Sequence, residues 1–286
     1  MEVIGMEILA FSGSSSGIGT TTCALLTAVD LCCRKNKKCL VIQPEPNNNL
    51  LLEYLIPLSR ELMRVYRESS LSSLYRAIKS GSVSTIEDVK RKIIDFLPSN
   101  ALGIIEQDKV LSDASFVQDT KLYFKKFVEL VQGEYDYLIC DLGSARTEIT
   151  SFVSQEATKV ITVLPHSNLR IKQFFKFHSG DQIEGHFYLI NKYDGEKKGT
   201  TLATLIHNNK QLNRSNTGFV GFNQTFEMMC DRSMMLNFLM RKETSNALLQ
   251  NKVMSTFLSL INVKKYDKLF IATVQNFVDT VTKERR

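Results

Sequence analysis

Seven short runs of almost unbroken apolar residues, at 7–11, 39–43, 102–106, 137–141, 159–164, 187–191 and 218–222, punctuate this 286-residue chain. Because they lack a polar/apolar alternation, they predict strands covered on both faces. Helical periodicity occupies intervals between them, over 20–34, 115–131, 168–177 and 200–208. A strand that must be followed by a helix before the next strand can only build a mostly parallel sheet, with helices on both sides. The expected fold class is therefore α/β, a doubly wound sheet of seven or eight strands. Two or three short helices are expected within 51–96, and the pattern from 244 onward is helical throughout. With no internal repeat and no low-complexity linker, residues 1–286 read as a single domain with a helical C-terminal segment, 244–286.

Composition narrows the function classes. Hydrophobic residues make up 43% and charged residues 23%, the mix of a folded soluble chain. No apolar stretch approaches the ~18–20 residues that span a bilayer, and the N-terminus lacks the pattern of a signal peptide. The six cysteines, Cys23, Cys32, Cys33, Cys39, Cys140 and Cys230, form no CxxC pair. That argues against a zinc site or disulfide framework and for a reducing, cytoplasmic setting. The net charge of +6 is mild, and the basic runs at 34–38, 90–92 and 283–286 are scattered. They read as solvated helix ends, so nucleic acid is not an expected partner. His166, His178, His186 and His207 are isolated in the sequence.

The first strand leads into Ser12-Gly13-Ser14-Ser15-Ser16-Gly17-Ile18-Gly19-Thr20-Thr21-Thr22. A glycine turn that opens a helix presents backbone N–H groups and a positive helix end, and so suits an anion such as phosphate. Two families fit these letters. Residues 12–19 resemble the dinucleotide turn of short-chain dehydrogenases, which implies an NAD(P) protein. Residues 17–22 resemble the end of the deviant Walker A loop of MinD/ParA ATPases. The dehydrogenase family also needs a Y-x-x-x-K helix; Tyr75–Lys79 comes too early, and Tyr188–Lys192 falls in a run that predicts a strand. Later landmarks favour MinD/ParA. Glu134-Tyr135-Asp136-Tyr137-Leu138-Ile139-Cys140-Asp141-Leu142-Gly143 resembles that family's switch region, Ala157 to Pro165 its following strand, and Asn191-Lys192-Tyr193-Asp194 its base-binding segment.

The resemblance implies a P-loop NTPase fold of the SIMIBI type and two cofactors, ATP and Mg²⁺. It implies phosphate and nucleotide contacts from Ser15, Ser16, Gly17, Ile18, Gly19, Thr20, Thr21 and Thr22, and a base contact from Asn191. Thr21 and Asp141 would hold the metal, and Glu45 and Asp141 would be the catalytic carboxylates. The family's two loop lysines fall on Ser15 and Thr20, and its strand-end carboxylates on Gln43 and Glu45. Lost lysines weaken the transition state more than the bound ground state, so the expectation is a nucleotide-binding protein that is at most a slow ATPase. The lysine-free loop is most similar to the CpaE/TadZ branch, which implies a localisation or assembly factor of pilus or secretion machinery that works as an ATP-dependent homodimer. A scaffold that binds no nucleotide is the alternative. Phe270, Val274, Phe277, Val278 and Val281 recur at helical spacing near Lys283, Arg285 and Arg286. This stripe fits either a helix packed on the sheet or one lying on anionic lipid, peripherally at the inner face of the cell membrane.

Overall fold

The computed structural model describes residues 5–45, 51–55, 57, 70–97, 101–107, 114–178, 186–195, 200–240 and 265–282. All seven apolar runs are strands: β1 Glu7–Gly13, β2 Cys39–Gln43, β4 Leu102–Glu106, β5 Tyr137–Asp141, β6 Lys159–Pro165, β7 His186–Tyr193 and β8 Thr217–Gly221. An eighth, β3 Ile94–Asp95, is two residues long and carries no pattern to read. Among the described residues these form one sheet in the order β3-β4-β2-β5-β1-β6-β7-β8. β3 runs antiparallel to β4, and every other neighbouring pair is parallel. Every residue of β2, β4 and β5 is buried, which is why those runs lack polar alternation.

β1 lies between β5 and β6. The chain builds β2, β4 and β5 on one side of it, then crosses to lay down β6, β7 and β8 on the other. Such a reversal opens a crevice at the carboxyl ends of the central strands. The turn after β1 leads directly into it.

The helices are α1 Thr20–Lys35, α2 Leu51–Leu55, α3 Leu71–Lys79, α4 Ile86–Lys90, α5 Ala114–Val131, α6 Glu148–Glu156, α7 Asn168–Phe177, α8 Leu202–Asn208, α9 Gln224–Asp231, α10 Met235–Met240 and α11 Lys265–Val281. The short helices expected within 51–96 are α2, α3 and α4. Residues 46–50, 56 and 58–69 lie outside the described residues, as do 241–264 of the C-terminal segment. One sheet face packs against α1, α2, α9, α10 and α11 around Leu9, Phe11 and Val41. The other carries α3 and α5 around Ala10 and Ile42, and α7 and α8 around Leu164 and Ile190.

The apolar stripe of α11 is spent inside the molecule. Phe270, Val274, Phe277, Val278 and Val281 are each no more than 3% exposed. Phe277 packs against Phe11 and Phe187, with ring centroids 6.4 and 5.8 Å away. The surface that a lipid-facing helix would present is therefore covered by the sheet; the basic residues at 283–286 lie outside the described residues. Arg34 and Lys35 at the end of α1 both reach Asp279 at 2.9 Å. Asp279 is 43% exposed, so these pairs contribute about 0–1 kcal/mol each, less than the ~1.5–3 kcal/mol of each buried side chain. Phe277→Ala is expected to destabilise the protein by about 3–5 kcal/mol in denaturant unfolding. The same truncation at Leu169, 67% exposed, is expected to change stability by less than about 0.5 kcal/mol.

Candidate functional site

The turn after β1 holds the site's backbone. Gly13 N–H donates to Gly143 O at 2.6 Å and Ser14 N–H to Val163 O at 3.0 Å, so the loop leaves the sheet pinned between the ends of β5 and β6. Gly19 ends the turn with φ +89°, and a Cβ there would lie 2.5 Å from Asn191 Nδ2. Any larger residue would be strained and would collide. α1 starts at the next residue, so the amides of its first turn lack intrahelical acceptors and point into the crevice end.

Asp141, at the end of β5, is fully buried. Its Oδ2 accepts from Thr21 Oγ1 at 2.6 Å and from Gln43 Nε2 at 3.0 Å, and its Oδ1 accepts from Gly143 N–H at 3.1 Å. Burial pushes this carboxyl above its usual range, and the hydrogen bonds from Thr21, Gly143 and Gln43 pull it part of the way back. Glu45 accepts from Thr147 Oγ1, the hydroxyl that also caps α6. Thr20 Oγ1 packs against the backbone of Gly13, where a Cβ would lie 2.3 Å from it. The short side chain of Thr20 is therefore held against the end of β1.

These groups line a cleft of about 450 Å³, which takes in Ser15 to Thr22, Gln43, Glu45 and Asp141. A second cleft of about 380 Å³ shares Gly17, Gly19, Thr22 and Tyr54 with it and extends past Asn191, Lys192 and Phe226. All the residues singled out from the sequence line one or the other. Asn191 is 6% exposed and donates from Nδ2 to Ile18 O at 2.7 Å, so its amide nitrogen is committed to the loop itself. Sequence reasoning gave no site role to Tyr54 or, beyond quoting it in a motif, to Lys192. Lys192 has φ +54° and pairs with Glu227, and its place directly after Asn191 is the only local hint. Among the described residues lining the larger cleft none is Lys or Arg, whereas Glu45 and Asp141 are both acids. Hydroxyl and carboxylate oxygens set together, as in Thr21 and Asp141, are the donors a hard cation such as Mg²⁺ takes.

The dehydrogenase reading fails on geometry. Tyr75 is fully buried in the apolar layer while Lys79 is out at the surface with Asp119. Tyr188 and Lys192 are both on β7, and they line different cavities.

Residues 6–174 match the family model described as "AAA domain". The chain belongs to this AAA domain family. No curated protein matches it. Among solved structures it resembles the ParA family ATPase from Chlorobium tepidum TLS, at 12% identity, 90% of this chain, 97% of that one and a TM-score of 0.63. It also resembles the cell division protein MinD from Aquifex aeolicus, at 11% identity, 98% and 99% of the two chains and a TM-score of 0.60. A complex of Cyanothece McdA with ATP matches at 16% identity, 98% of each chain and a TM-score of 0.60. The AAA domain chain therefore has the MinD/ParA P-loop fold.

The buried Asp141 makes a pH signature. A carboxyl that ionises less readily when folded favours the folded state at acid pH, and that contribution is lost as pH rises through its folded value. Without nucleotide or divalent ions, Asp141→Asn is expected to gain stability relative to wild type as pH rises from about 4 to about 8. Unfolding midpoints across that range check it; a variant-minus-wild-type difference that stays constant or falls as pH rises contradicts the assignment.

Proposed function

We propose that this AAA domain chain is a MinD/ParA-like nucleotide-binding protein that holds Mg²⁺·ATP and hydrolyses it slowly or not at all. One observation carries the reading: a cleft lined by the loop and first helical turn, Ser15 to Thr22, ends on the Thr21–Asp141 pair and has no described Lys or Arg among its lining residues. Backbone N–H groups of Ser15 to Thr20 take the phosphates, supported by the helix end. Thr21 and Asp141 hold the metal, which supplies positive charge beside two carboxylates that otherwise repel phosphate. Asn191 keeps its amide oxygen for a base amino group, since its nitrogen is bonded to Ile18. Glu45 and Asp141 occupy the positions of the family's catalytic carboxylates. With no lysine at Ser15 or Thr20 to meet charge that develops in transfer, the ground state is held better than the transition state is stabilised.

Residues 1–286 act as a single domain whose ATP-bound form dimerises and positions or assembles a partner. The lysine-free loop, similar to the CpaE/TadZ branch, supports a pilus or secretion setting for that work.

Calorimetric titration with ATP tests this directly. The expected Kd is on the order of 0.1–1 mM with Mg²⁺, with binding lost on chelation. Thr20→Lys, which restores a charge-assisted contact, is expected to tighten binding by about tenfold or more. No heat at millimolar Mg²⁺·ATP would sink the reading and leave a scaffold that acts through protein contacts alone. Steady phosphate release that disappears in Asp141→Ala would refute weak hydrolysis.

A further inference from the structure

The helix after β6, α7, turns one face to the sheet and the other to solvent. Ile171, Phe174 and Phe175 are buried in one cluster with Leu164, Tyr188 and Ile190. At 3.6 residues per turn the opposite face falls to Leu169, Gln173 and Phe177, which follow one another every fourth residue in a line along the helix. Both ends of that line are apolar and open, with Leu169 67% exposed and Phe177 76% exposed. Their backbones stand about 12 Å apart along the axis.

Cations border the line on both sides. Lys172 and Lys176 flank it on one side and Arg170 on the other, and all three are exposed. None of the three side chains has an ion-pair or hydrogen-bond partner among the described residues. α7 contains no Asp or Glu, and neither does α8, which shares its apolar cluster. Asn209 Nδ2 donates to Asn168 Oδ1 at 3.0 Å, which ties the residue before the exposed Lys210 to the start of α7.

The exposed Leu122 of α5 has a different setting. Lys121, Lys125 and Lys126 beside it are each paired, with Glu148, Glu156 and Glu129. A single exposed leucine is ordinary. An apolar line framed by unpaired cations on an acid-free surface is the pattern of a helix that lies on anionic lipid, its apolar side chains among the acyl chains and its ammonium groups at the phosphates. Nucleic acid would engage the cations through its phosphates and leave Leu169 and Phe177 in water.

We propose that the solvent face of α7 is a docking surface for an anionic lipid bilayer. Leu169 and Phe177 enter the boundary between headgroups and acyl chains, and Arg170, Lys172 and Lys176 meet the lipid phosphates. This surface lies across the sheet from α11, whose own apolar stripe is covered.

The test is cosedimentation of the full chain, without nucleotide, with vesicles of phosphatidylcholine alone or mixed in equal parts with phosphatidylglycerol. Anionic vesicles are expected to carry down half the protein at accessible lipid on the order of 1 mM, and neutral vesicles to bind roughly tenfold less or weaker still. Raising the salt from about 0.1 M to about 1 M shortens the screening length from about 10 Å to about 3 Å and is expected to release the protein. Lys172→Glu with Lys176→Glu is expected to weaken binding by roughly tenfold or more, and Phe177→Ser by roughly fivefold. Lys283→Gln, Arg285→Gln and Arg286→Gln together are expected to leave it within about twofold. The α7 positions are exposed, so those variants are expected to keep the wild-type unfolding midpoint; Leu169→Ser replaces any that does not. No sedimentation at about 10 mM anionic lipid overturns the proposal. So does equal binding to both vesicles, or binding that follows the three C-terminal changes and not those in α7. Binding of a short DNA duplex with none to vesicles also overturns it, as does self-association that the α7 changes abolish while vesicles stay unbound.

Discussion

The hydrogen bond from Thr21 to the buried carboxylate of Asp141 joins the first turn of α1 to the end of β5, and the shape of the crevice depends on it. Gln43 adds β2 to the same carboxylate and Gly143 N–H closes the loop after β5 onto it. Three elements that are far apart in the chain thus meet at one buried acid. An uncompensated carboxylate in a dry interior is costly, which is why burial holds Asp141 above its ordinary range. A divalent cation at that point would reverse the penalty. The same buried acid would make a metal–phosphate ligand favourable.

On the function proposed, the charge pattern separates holding from cleaving. Backbone amides at a helix end contribute partial charges that are fixed in place and need no side chain. They suit a ground-state phosphate. The charge that develops as a phosphoryl group is transferred calls for full cations, and Ser15 and Thr20 in the loop carry none. Thr20 carries a short, uncharged side chain whose hydroxyl packs against Gly13.

Much of this was legible in the sequence because it is written locally. Strand runs covered on both faces look the same wherever they stand, and a glycine turn between strand and helix has its chemistry within about a dozen residues. Asp141 could be read because a carboxylate at the end of an apolar run has few structural reasons to be there. β3 could not be read, since two residues have no period. The bond from Asn191 to Ile18 spans 173 residues, and nothing near either end signals that the amide nitrogen is committed. The contacts of Thr162 with Ser12 and His186, at 3.2 and 2.6 Å, were invisible for the same reason: they exist only once β1, β6 and β7 are neighbours. The stripe on α11 was legible as a stripe, but a helix pattern does not say whether sheet or lipid covers it.

The most direct measurement of a backbone phosphate cradle follows the backbone amides themselves, by ¹H–¹⁵N NMR of the full chain during a titration with Mg²⁺·ATP. The account predicts saturable shifts concentrated at Ser15 to Thr22 and in the loop after Asp141, all with one Kd and all absent without Mg²⁺. Saturable shifts that leave Ser15 to Thr22 unmoved would contradict it.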